Sequence, residues 1–100
     1  MIKDLTIHED KVLVTLYDEL TVTDAADLRE KLYEKIEEGY KQFIIDMDRL
    51  SFIDSAGLGI LVAAHKRTKE RGGQMKIRHA KGAVFEVFEM TRLTSVFDFE

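Results

Sequence analysis

The chain has 100 residues, carries 15 Lys and Arg against 19 Asp and Glu for a net charge of −4, and has no cysteine. That length suits one domain with one core, spanning residues 1–100, and the missing cysteines exclude a disulfide framework and thiol chemistry. The acidic balance argues against a nonspecific grip on nucleic acid, no apolar run reaches the about 18 residues of a membrane span, and Met1 to Leu5 lacks the pattern of a secretory signal. No nucleic acid, no membrane and a cytoplasmic location are therefore expected.

Ile2, Leu5 and Ile7 alternate weakly, and His8-Glu9-Asp10 reads as a turn into Lys11 to Tyr17, where Val12, Val14 and Leu16 share one face. This predicts an opening hairpin. Thr23 is then expected to cap a helix running to about Glu38, with Asp24 and Asp27 in its first turn, Leu28, Leu32 and Ile36 on its apolar stripe, and Gly39 as its stop. Phe43 to Met47 is apolar almost without interruption, which predicts a central strand covered on both faces. Leu50 to Ile53 reads as a bridge. Asp54 and Ser55 are N-cap types, and Leu58, Leu61, Val62 and His65 follow helical spacing to about Arg71, where Gly72-Gly73 stops the helix. Met75 and Ile77 mark another strand, Ala83 to Met90 a third helix, and Ser95 to Phe99 a last short strand. The alternation predicts an α/β fold: a single domain with a parallel or mixed sheet of four to five strands and helices packed against it.

The Ser55 turn is the segment richest in functional signal. Gly57 and Gly59 each cost a helix about 0.8–1.0 kcal/mol, and a bare first turn suggests a docking surface. On that reading, Gly57→Val impairs docking more than folding. A hydrolase elbow is excluded because Ile53 stands where Gly-x-Ser-x-Gly needs glycine. His65 lies ten residues along the same helix, about 15 Å of rise from Ser55, too far to act as its base. A dinucleotide loop lacks its third glycine, since position 62 is valine. Asp46, Asp48 and Asp54 could together hold Mg²⁺ in a phosphoryl-transfer enzyme, although no positioned lysine or threonine supports them. The basic residues Lys66, Arg67, Lys69 and Arg71 fall near the end of the second helix, where they complement its dipole.

Asp54-Ser55-Ala56-Gly57-Leu58-Gly59, in this order of elements, resembles the anti-sigma factor antagonists of the STAS domain family. Glu19-Leu20, Phe43 to Asp46, Leu50 to Ser55, Gly72-Gly73 and Val87 to Thr91 extend the likeness over nearly the whole chain. The resemblance implies a binding module and not an enzyme, with no catalytic residue, metal or cofactor. It implies an anti-sigma factor of the serine-kinase type as partner, Ser55 as the residue that kinase phosphorylates, and a PP2C-type phosphatase that restores the hydroxyl. ATP belongs to the kinase. The implied partner surface is Asp54, Ser55, Ala56, Gly57, Leu58 and Gly59, with Thr21 and Thr23. Ala56 leaves a single acceptor hydroxyl where relatives often have two, and Asp18-Glu19-Leu20-Thr21 departs from the family's Gly-Glu-Leu-Asp. The same fold could also serve as a non-switching scaffold or as a nucleotide or small-molecule sensor.

Overall fold

The computed structural model describes residues 2–100, with side chains from Asp4 onward; Met1 lies outside the described residues. Eight elements follow in the order β1 (Ile2–His8), β2 (Lys11–Leu20), α1 (Val22–Glu37), β3 (Gln42–Ile53), α2 (Ser55–Glu70), β4 (Gln74–Arg78), α3 (Gly82–Met90) and β5 (Asp98–Phe99). β1 and β2 form the expected antiparallel hairpin, closed at Glu9-Asp10 with His8 opposite Lys11. All later pairings are parallel. The result is a mixed five-stranded sheet in which strand order equals chain order.

That ordering explains which face is covered. Each βαβ crossover is right-handed by strong preference, and here each steps in the same direction, so all three helices fall on one side of the sheet. Val12, Val14, Phe43, Ile45, Met75 and Ile77 point to that side and are at most 1% exposed. They join Leu28, Leu32 and Ile36 of α1, Leu58 and Leu61 of α2, and Val84 and Phe88 of α3 in one core. The expectation that β3 is covered on both faces is thereby corrected. β3 is central, but Ile44 pairs with Leu13 and Lys76 on the uncovered face, where all three are half-buried.

Two boundaries differ from expectation in ways that bear on the site. β3 continues through Leu50-Ser51-Phe52-Ile53, because β2 extends to Leu20 and supplies pairing for it: Asp18 lies opposite Leu50 and Leu20 opposite Ile53. Two register shifts in this stretch release strict alternation, which is why its sequence reads as a bridge. At the other boundary, Thr21 and not Thr23 is the N-cap of α1. Thr21 is extended (φ −128°, ψ −179°), and its carbonyl accepts from the Asp24 and Ala25 amides at 2.9 Å. Thr23 lies inside the first turn. Gly39 (φ +103°) and Gly72 (φ +80°) end α1 and α2 in the left-handed conformation that glycine adopts without strain.

Candidate functional site

At the C-terminal ends of β2 and β3 the chain turns into α1 and α2, so both helices start side by side. Asp54 stands between them. It is extended (φ −100°, ψ 180°), the N-cap of α2, and its backbone is fixed by its amide donating to the Leu20 carbonyl at 3.1 Å. Its Oδ1 accepts the Gly57 amide at 2.8 Å. Its Oδ2 accepts the Val22 amide, the first of α1, at 2.9 Å. The Gly57 hydrogen bond, opposed by partial burial and reinforced by the Val22 bond, holds this carboxyl below the usual aspartate value.

Ser55 is the first residue of α2 and is exposed. Around it the surface mixes small and apolar groups: Gly59 is exposed, Ala56 half-buried, Phe52 47% exposed and Val22 70% exposed. Thr23 is exposed and Thr21 half-buried. Asp54, Ser55, Ala56, Gly59, Thr21 and Thr23 are therefore accessible near the two helix starts, whereas Gly57 and Leu58 are buried. This corrects the reading of Gly57 as open space for a partner. A Cβ added there would lie 2.7 Å from Leu20 Cγ and 2.8 Å from the Leu20 carbonyl oxygen, so the glycine lets α2 sit against the end of β2. A Cβ on Gly59 would meet nothing within 4 Å. Val22 and Phe52 were missed by the sequence reading, since neither exposure follows from local pattern.

The three aspartates considered for Mg²⁺ have separate duties. Asp46 Oδ1 lies 3.1 Å from His79 Nδ1 and accepts the Asp48 amide at 3.0 Å. Asp48 pairs with Lys81 at 2.7 Å, and that hydrogen bond lowers its carboxyl below the usual value. Asp54 holds the helix starts. Among the described residues, no group of three or more His, Cys, Asp or Glu side chains is placed to bind a metal.

The basic residues near the end of α2 also have a local role. Arg67 and Arg71 both reach Glu37 of α1, at 3.1 and 2.7 Å, and the Arg67 guanidinium lies 4.6 Å from the centre of the Tyr33 ring. They tie α2 to α1. A cavity of about 590 Å³ lined by Asp10, Glu38, Gly39, Tyr40, Lys41 and Gln42 lies where β3 begins, at the opposite end of the strands from Ser55. No described helix is long and apolar enough to cross a membrane.

Comparison with known proteins identifies the architecture. The anti-sigma-B factor antagonist of Bacillus subtilis (strain 168) is 33% identical over 95 residues, covering 95% of this chain and 86% of that protein. The crystal structure of an anti-sigma factor antagonist from Mycobacterium paratuberculosis shares the fold with a TM-score of 0.86 at 20% identity, covering 99% of this chain and 85% of the other. The Bacillus cell fate determinant SpoIIAA in its phosphorylated form does so with a TM-score of 0.81 at 22% identity, covering 100% and 91%. The description of the STAS domain matches residues 3–100, and the chain belongs to the STAS domain family.

Proposed function

We propose that this chain is an anti-sigma factor antagonist switched by phosphorylation of Ser55. In its free-hydroxyl form it sequesters an anti-sigma factor of the serine-kinase type and so releases a sigma factor. The kinase inactivates it by phosphorylating Ser55, and a PP2C-type phosphatase restores it. The carrying observation is the exposed Ser55 at the start of α2, directly after the capping Asp54. Its support is the 33% identity to a protein named as an anti-sigma-B factor antagonist.

The physics of the switch is a contrast between two environments. A phosphate adds a charge of about −1.5 to −2. At a helix N-terminus the free backbone N–H groups and the dipole favour it, so the fold tolerates modification. Inside a protein interface the same group must be desolvated, and Asp54 next door sharpens the repulsion. A penalty of about 3 kcal/mol weakens binding on the order of 100-fold. Binding is lost while the fold is kept.

A nucleotide-sensing role has less support. Open α/β sheets bind nucleotides in the crevice where strand order reverses, and the order in this sheet does not reverse. The test is incubation with ATP alone and with the cognate anti-sigma kinase, followed by mass spectrometry and binding titrations. Phosphate is expected on Ser55 only when the kinase is present. Ser55→Ala is expected to bind the kinase constitutively and Ser55→Asp about 100-fold more weakly. Equal affinities for the two variants would sink the switch.

A further inference from the structure

Thr21 occupies the N-cap of α1, yet its side chain makes no capping hydrogen bond. The first amide of α1, that of Val22, finds its acceptor in Asp54, 32 residues later, which also caps α2. One carboxylate thus spans two helix starts. We propose that Asp54 is a positioning residue, whose two oxygens lock the start of α1 to the Ser55 turn so that Thr21, Val22 and Thr23 form part of the surface the Ser55 partner reads. This rests on the reading of Ser55 as the residue a partner protein controls.

Other contacts join neighbouring parts of the same two segments. Besides the Val22 bond, the Asp54 amide donates to Leu20, and Gly57 lies against Leu20 too closely to admit a Cβ. The last two fix the end of β2. Of these, the Asp54 Oδ2 bond is the one made to α1 itself. Its loss frees the exposed Val22 and Thr23 from the turn, and ordering them again on binding costs affinity. The chemistry calls for a carboxylate. Asparagine offers one acceptor oxygen and would turn an N–H₂ donor toward one of the two amides, so it can hold either helix start but not both. A surface running from Thr23 across Val22 to Ser55 and Gly59 spans parts of two helices, an extent that suits a folded protein partner.

Proline at position 22 removes the bonded amide with little other disturbance. It is favoured at the first helical position, and Thr21 already has the extended conformation required before proline. Val22→Ala keeps the amide and trims the side chain, so the pair separates bond from side chain. Both variants are expected to melt close to wild type. Hydrogen exchange of the Gly57 amide, followed by NMR, is expected to be about tenfold faster in Val22→Pro than in Val22→Ala, and affinity for the cognate anti-sigma kinase about tenfold lower. Asp54→Asn is expected to reproduce the affinity loss. Exchange and affinity in Val22→Pro within about threefold of Val22→Ala would overturn the proposal, as would an equal loss in both variants. If the wild-type protein binds no anti-sigma kinase, the reading of Ser55 fails instead, and the Gly57 exchange rate still decides whether Asp54 couples the two helices.

Discussion

Gly57 and Gly59 lie two residues apart near the start of α2, and the same substitution has opposite consequences at each. Alanine at Gly57 drives a methyl into Leu20, including its backbone carbonyl, an overpacking that costs about 1–3 kcal/mol. Alanine at Gly59 enters open space and recovers about 1 kcal/mol of helix propensity. Thermal melts are expected to fall for Gly57→Ala and to rise by about 4–8 °C for Gly59→Ala, while partner affinity is expected to drop for Gly59→Ala because its methyl would stand on the proposed docking surface. A stability loss at Gly59 would refute this assignment. Asp54 and Ser55 were readable from the sequence because capping is a local matter of residue type and spacing. Gly57 was not, since its neighbour Leu20 arrives through strand pairing, and the Asp54–Val22 bond was hidden for the same reason.

Among the elements, α2 carries a pH-sensitive contact with the segment leading into β5. His65 is 7% exposed, its Nδ1 has no hydrogen-bond partner among the described residues, and its ring packs 4.9 Å from that of Phe97. Burial lowers its pKa below the ordinary 6.5, Lys69 on the same helix adds to this, and Asp98 and the Val96 backbone oppose it. The folded state therefore takes up a proton less readily than the unfolded chain. Stability from this site is full above the unfolded value and is lost as pH falls from about 6.5 toward the folded one. Urea midpoints of the wild type are expected to drop between pH 7.5 and 5.5 by more than those of His65→Phe; parallel curves would exclude the effect. The helical spacing puts His65 on the same stripe as Leu58 and Leu61, but its burial to 7% exposure and its stack on Phe97 needed the chain to return. Element ends were less readable: Thr23 and Thr21 are equally good caps by type, and only the extension of β2 to Leu20 decides between them.

For the molecule as a whole, the decisive property is that one face of the sheet is packed and the other is not. Ile44 and Ile45 are adjacent and alike in sequence, but Ile45 is fully buried under the helices and Ile44 lies on the uncovered face. Ile45→Ala is expected to cost about 2–5 kcal/mol and Ile44→Ala less than half as much, measured by urea denaturation. Similar losses would mean that the second face is packed in solution. The α/β class was legible because two periodicities alternate along the chain. Coverage was not, because a run such as Phe43-Ile44-Ile45 reads alike whether one or both faces are buried, and only strand order settles it. That order has a further effect on how the chain comes into being. Since every strand pairs with its predecessor in sequence, the sheet can lengthen along a single margin as the chain leaves the ribosome, and no strand must be displaced to admit a later one. The Ser55 turn and the start of α1 are complete once α2 has been made, while Phe88 and Phe97, which belong to the same core, are still to come.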